Sequence, residues 1–194
     1  VSRGLGDVYK RQVKDSIRKR LNKSFAIISL VCSIGLVICG ISLFAISSQY
    51  HNALTNYVFA QGDIGKAMTT FSETRSALRA VIGYDDESEI NSEKKNYETK
   101  KKAFEGFMQD IESKMMTKAG KEAYQQAESA LNGYWTKADA ILQQGSTTDK
   151  IASSAAQHKE IDELGPMYDE IYASLKNIMD IKVAKGNSVQ GTLN

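Results

Sequence analysis

The chain opens its apolar pattern with an unbroken run and then changes to a periodic one. From Phe25 to Ile46 no position carries a charge. At a rise of 1.5 Å per residue, these 22 positions span about 33 Å, enough for the roughly 30 Å hydrocarbon core of a bilayer. The glycines and serines within the run are ordinary in membrane helices. Beyond it, apolar residues recur at steps of three and four. A first segment, about Ser47–Tyr84, places Ile64, Met68, Phe71, Arg75, Leu78 and Ile82 on one stripe. A second, about Ser88–Met116, aligns Tyr97, Phe104, Met108, Ile111 and Met115, and a third, about Lys118–Gln144, repeats every seven residues from Tyr124 through Leu131 to Ala138. The fourth, about Asp149–Lys185, aligns Ile151, Ala155, His158, Ile161, Met167, Ile171, Leu175, Ile178 and Ile181. One stripe per helix with short connections predicts an all-α fold, a transmembrane helix followed by an antiparallel up-down four-helix bundle.

The breaks carry their own chemistry. Gly83 ends the first segment, Asp85, Asp86 and Ser88 offer caps for the second, and Gly145 to Asp149 forms a loop with N-cap residues. Pro166 is the single proline; after Gly165 it removes a backbone donor and predicts a local bend in the fourth helix. The first and fourth segments exceed the middle two by about ten residues, roughly 15 Å. In an up-down bundle both extensions lie at the membrane end.

Charge assigns the sides. Up to Phe25 there are eight bases and two acids, +6, in a chain of net +2, so the remainder carries −4. A basic flank stays in the cytoplasm, which places the bundle outside the cell, with the lipid bilayer around the anchor. A cleaved signal peptide shares this layout, but the apolar run far exceeds an ordinary signal core. Residues 1–12 begin without Met and resemble translated sequencing-adapter read-through; without them the flank is still +4. The expected organisation is an adapter-like segment at 1–12, a basic cytoplasmic flank at 13–24, the membrane helix at 25–46 and the extracytoplasmic bundle at 47–185. The tail at 186–194 would precede a second membrane span lying outside a fragment.

Composition removes several functional classes. Both cysteines, Cys32 and Cys39, fall inside the membrane run, so the exported part has no disulfide framework and no thiolate metal site. His51 and His158 are far apart, and no zinc-protease, nucleophile-elbow, phosphate-loop or dinucleotide pattern occurs. The expectation is no enzyme, no cofactor, no metal and no nucleic-acid partner.

Taken in order, the basic Ser16–Leu21, the apolar span, Gly62–Met68, Phe71–Arg79 and Glu163–Tyr168 resemble the start of methyl-accepting chemotaxis receptors that carry a four-helix-bundle sensor. The similarity covers about Ser16 to Lys185. It implies an inner-membrane homodimer that senses a small molecule outside the cell. Sensor histidine kinases and nucleotide-cyclase receptors carry the same module, and the output domain that would separate them lies outside this chain.

Candidate ligand residues follow from both lines. Arg75 lies on the apolar stripe, Arg79 one turn further, and a guanidinium suits bidentate capture of a carboxylate. The start of the fourth helix, with Thr147, Thr148 and Asp149, offers free N–H groups for an anion. Arg75 and Arg79 match the Arg-x-x-x-Arg spacing that relatives use together with groups near the start of the fourth helix across a dimer interface. The expected ligand is thus a small carboxylate such as an amino acid or organic acid. In the plainer alternative, Arg75 pairs with an acid of a neighbouring helix and Arg79 is solvated. An unpaired Arg75 would be costly inside a monomeric bundle, which also argues for a dimer. Trp135, Tyr134, Phe104 and Phe107 read as core filling, and His158 as a core histidine. A membrane-tethered helical scaffold without ligand remains the third reading.

Overall fold

The computed structural model describes the backbone of residues 3–193 and the side chains of residues 17–189 and 191. Helix α1 runs Arg3–Ala53 and contains the uncharged stretch. It is the one helix among the described residues long and apolar enough to cross a membrane, with a window of mean hydropathy 2.6. Its apolar side chains, from Phe25 to Ile46, are exposed. The Ser33 hydroxyl donates to the Ser29 carbonyl at 2.8 Å, so it brings no unpaired donor into an apolar surrounding. Residues 1–12, set aside as adapter-like, contribute backbone to α1 from Arg3 onward; their side chains lie outside the described residues.

A second compact unit starts at Asn52. It opens with a π-helical turn, Leu54–Val58, followed by α2 at Phe59–Gly83, α3 at Glu87–Ser113, α4 at Lys118–Gly145 and α5 at Lys150–Lys159. A second π turn at Glu160–Leu164 joins α5 to α6 at Gly165–Leu193, so α5, the π turn and α6 together form the fourth helix. No strand occurs among the described residues. Along α2 the buried residues Ala60, Ile64, Ala67, Phe71, Thr74, Leu78 and Val81 alternate steps of four and three. Along α4 the same alternation runs from Gly120 to Gly145. Helices whose buried positions repeat every seven residues close into a bundle with near-parallel axes.

The caps explain where helices begin. Asp86 accepts from the backbone N–H of Ser88 and Glu89, Thr117 from Gly120 and Asp149 from Ile151. Each satisfies donors that the first helical turn leaves open. The end of α2 differs from the expectation of a glycine cap. No described residue has positive φ, and the helix stops because Tyr84 turns extended. The freed Ile82 carbonyl is met by α5, accepting from Ser153 Oγ at 2.6 Å and Gln157 Nε2 at 2.9 Å. Gly145 lies in the same corner. A Cβ there would come within 2.6 Å of both Ala156 and Ile82, so only glycine permits this approach of α4 to α2 and α5.

An aromatic cluster fills the middle. Phe71 has Phe104, Tyr134, Trp135 and Tyr168 within 5.8 Å between ring centroids. Large side chains at these positions hold α3 and α4 apart, whereas α3 lies closely along α2, and α4 along α6.

The inner face of the fourth helix differs from its expected stripe. Ile151 and Ile161 are 82 % and 61 % exposed, and Ala155 and His158 also face solvent. The ring of His158 meets the Ser154 carbonyl at 2.8 Å, so it is a surface histidine and not a core one. Ser153, Ala156, Glu160 and Leu164 are buried instead. Just before Gly165–Pro166, where the sequence predicts a bend, the helix widens into the π turn. There the Gly165 N–H bonds the Glu160 carbonyl, five residues back. Proline has no N–H to continue the regular ladder, and a one-residue widening accommodates the gap.

Candidate functional site

Two arginines of α2 and one glutamate of the π turn meet inside the bundle. Arg75 and Arg79 are one helical turn apart and therefore on one face. Arg75 Nε lies 2.7 Å from Glu160 Oε1, and Arg79 Nε 2.8 Å from Glu160 Oε2. Glu160 is 2 % exposed, Arg75 15 % and Arg79 51 %. A carboxylate this deep is tolerable because one oxygen accepts a charge-assisted hydrogen bond from Arg75 and the other is ion-paired with Arg79. The Arg75 guanidinium also stands over the Tyr168 ring, 4.4 Å from its centroid. Tyr168 stacks on Phe71 at 5.0 Å, and its hydroxyl meets Ser72 Oγ at 2.5 Å. Gly165 lies beside the guanidinium, where a Cβ would meet Arg75 Nη2 at 3.4 Å, an ordinary van der Waals contact. Burial pushes the nearby Tyr134 hydroxyl well above the usual tyrosine range, with Arg75 opposing and Glu160 reinforcing the shift.

The start of the fourth helix is a separate place. Thr147 and Thr148 line a cavity of about 270 Å³ with Tyr84, Asp85, Ser153 and Gln157, and no arginine borders it. The Asp149 side chain already accepts from the Ile151 N–H at 2.9 Å, and Thr147 Oγ1 accepts from the Asp149 N–H at 3.1 Å. Its own carboxylate thus occupies the helix end where an anion was expected. Arg75 and Arg79 come together, as their spacing indicates, but Thr147 and Thr148 do not join them. Nor is Arg75 an unpaired charge: Glu160 neutralises it within one chain, so the argument from its cost to a dimer does not hold.

Lys182 of α6 is a second buried charge that sequence reasoning passed over. It is 3 % exposed. Its ammonium donates to the Asn56 carbonyl at 3.1 Å and to the Lys114 carbonyl, 5.6 Å from the Tyr57 ring centroid. Desolvation, followed by repulsion from Lys114, lowers its pKa to about 8. Lys114 itself pairs with Asp63, whose carboxyl that hydrogen bond holds below the usual range. The lysine ties α6 to the first π turn and to the C-terminal end of α3. Its signal was a lysine on the aliphatic stripe of α6, one turn past Ile178.

A family model described as a four-helix-bundle sensory module for signal transduction matches residues 14–191. The chain belongs to this family, the sensory modules of methyl-accepting chemotaxis receptors. No curated protein matches it closely enough for comparison. Four helices with a heptad core are what such a module requires. Within that frame the Arg75–Arg79–Glu160 cluster bridges the first bundle helix and the last.

Proposed function

We propose that this chain is the sensory part of a transmembrane chemoreceptor, with its basic flank in the cytoplasm and its bundle outside the cell. In this reading it detects a small carboxylate, an amino acid or an organic acid. The observation that carries the reading is the double pairing of Arg75 and Arg79 with Glu160 on a π turn. Glu160 is an internal carboxylate held by the two guanidiniums that an external one would use. A ligand carboxylate would compete with it, and Glu160 would leave with the π turn that carries it. Such a turn has a ready alternative, the regular α geometry, so displacement would shift α5 and α6 relative to α2. Small shifts of one packed helix against another are a standard signalling device. Only a ligand that binds the two arrangements unequally drives the change.

The receptor would act as a homodimer in the bilayer. Ile151, Ala155 and Ile161 form an exposed apolar line on the fourth helix and provide a face for a second copy. Ile64, on the inner stripe of α2, is fully buried in the bundle and offers none.

The test is a hybrid receptor in which this chain drives the signalling part of a chemotaxis receptor. Cells would be exposed to gradients of amino acids, dicarboxylic acids, amines and sugars. A carboxylate response lost in Arg75→Ala supports the reading. Responses confined to sugars, or unchanged in both Arg75→Ala and Arg79→Ala, would overturn the carboxylate site. Cysteine crosslinking in membranes at Ile151 and Ile161 tests the dimer, and alkaline phosphatase fused within the α4–α5 loop tests the orientation.

A further inference from the structure

The first and last bundle helices are interrupted in the same way. Each carries a one-turn π segment, Leu54–Val58 before α2 and Glu160–Leu164 before α6. Each segment closes with a bond that reaches five residues back, Phe59 N–H to the Leu54 carbonyl and Gly165 N–H to the Glu160 carbonyl. Each is also held by a charged group of the opposite helix. Arg75 and Arg79 of α2 hold Glu160 in the second turn, and Lys182 of α6 donates to the Asn56 carbonyl in the first. Single π turns within helices are uncommon and concentrate at functional sites.

The stretch between the two charges is stiff. Glu160 and Lys182 are 22 positions apart in sequence, about 33 Å at helical rise. Leu164, Ile171, Leu175 and Ile178 are fully buried along it, so α6 moves as one packed body. The regular α geometry has no place for the extra residue of a wide turn. If the Glu160 turn closes while α5 stays in place, everything beyond it rotates and advances by one residue, a rise of about 1.5 Å. The Lys182 ammonium cannot absorb such a shift. Its bond to the Asn56 carbonyl is 3.1 Å long, and a contact stretched beyond about 3.6 Å is no longer a hydrogen bond. Its other acceptor, the carbonyl of Lys114, belongs to the C-terminal cap of α3 and not to α6. A buried ammonium without acceptors is costly, so Lys182 either keeps both carbonyls or leaves the interior. The contact therefore has two arrangements and no comfortable intermediate.

We propose that the two π turns form a coupled pair of latches, in which opening the Arg75–Arg79–Glu160 pairing withdraws Lys182 from Asn56 and loosens the turn at Leu54–Val58. The first turn directly follows α1 in the chain, so a change on the fourth helix reaches the segment that leads back to the apolar run. A ligand that displaces Glu160 would work this device, but the coupling needs no ligand and does not depend on the carboxylate reading. Coupling of this kind is reciprocal, so whatever the second turn does to the first, the first does to the second. Ion pairs that only brace the fold have no such relation, because substitutions this far apart act independently.

The experiment measures backbone hydrogen exchange of the full chain in phosphatidylglycerol nanodiscs. Overlapping peptides would resolve Leu54–Phe59, Glu160–Gly165 and, as a reference, Tyr97–Phe104 in the middle of α3. The variants are Glu160→Gln, the milder Arg79→Ala at a half-exposed arginine, and Lys182→Met. Glu160→Gln should speed exchange at Leu54–Phe59 about tenfold and Arg79→Ala by less, with the reference unchanged. Lys182→Met should speed exchange at Glu160–Gly165 by a similar factor. Exchange at Leu54–Phe59 unchanged in both second-turn variants would overturn the proposal. So would a rise shared equally by Tyr97–Phe104, or an effect of Lys182→Met confined to the first turn.

Discussion

Arg75 and Glu160 are 85 positions apart and meet at 2.7 Å, joining the first bundle helix to the last through an ion pair on which the Tyr168 ring also packs. The pair depends on a wide turn in the fourth helix. Glu160 sits on the inner face only because the π turn that begins with it accommodates one more residue than a regular helix would.

Removing the carboxylate should be far costlier than removing the outer arginine. Glu160→Ala leaves the mostly buried Arg75 guanidinium without its counter-charge, and breaking a buried pair in this way costs about 3–5 kcal/mol. Arg79 is half exposed, and Arg79→Ala leaves Glu160 still paired with Arg75, so the expected loss is about 1 kcal/mol or less. Urea denaturation of the two variants should give this order, and a larger loss for Arg79→Ala would count against the cluster as described.

Gly145 gives a packing test. Ala156 and Ile82 both lie within 2.6 Å of where a Cβ would stand, and neither is the mobile end of a long side chain. Gly145→Ala should therefore destabilise the bundle by about 1–3 kcal/mol, the usual cost of overpacking. This outcome is opposite to the gain that alanine normally brings to a helix. Gly106, with open space around it, is the internal control, and Gly106→Ala should stabilise by about 0.5–1 kcal/mol.

Lys182 predicts an unusual pH dependence. Its pKa falls from 10.5 in the unfolded chain to about 8 in the bundle. Between these values the unfolded chain binds the extra proton, so this group makes stability rise with pH, by at most about 1.4 kcal/mol per unit. The tyrosines act in the opposite direction and later. Tyr97, Tyr124 and Tyr134 all have raised values, so their contribution is present below pH 10 and lost above it. Thermal melts should show stability increasing from pH 8 to about 9.5 and falling beyond 10. In Lys182→Met the rise should vanish and the fall remain.

The fold was legible because α2, α3 and α4 follow heptads, and most residues on the stripes are in the core, with Met68 and Arg75 at its margin. The N-caps Asp86 and Asp149 were legible for the same local reason, whereas Thr117 was not singled out. What the sequence concealed was a slip in the fourth helix. Buried positions there run Ala156, Glu160, Leu164 and then half-buried Tyr168, three successive steps of four, before the alternation resumes at Ile171 and Leu175. Three steps of four exceed a heptad rhythm by about one residue. Carrying an aliphatic stripe backward through that region picks Ile161, His158, Ala155 and Ile151, all of which face solvent. Hydrophobicity alone favours Ile161 over Glu160, and only the partners on α2 reverse the choice. The pairing of Arg75 with an acid was accessible from its place on the stripe, but the identity of the acid required the slip to be seen.

The slip itself can be tested by deletion. If the π turn is the extra residue, removing Ile161 converts the steps 4, 4, 4 into 4, 3, 4 and restores a regular helix. Ala156 and Glu160 before the cut, and Leu164 and Tyr168 after it, then stay on one face. The deleted side chain is 61 % exposed, so little burial is lost with it. Removing one residue from the regular part of α6, such as Asn177, has no wide turn to absorb it. That deletion rotates everything beyond it by about 100° and carries Ile178 and Lys182 off the inner face, at roughly 1.5–3 kcal/mol for each large apolar side chain exposed. Urea midpoints of the two deletions in the same chain should therefore differ widely, with the Ile161 deletion close to the parent. Equal, severe losses in both would mean that the π turn is not an absorbed insertion. Equal, mild losses would mean that the fourth helix does not depend on register at all.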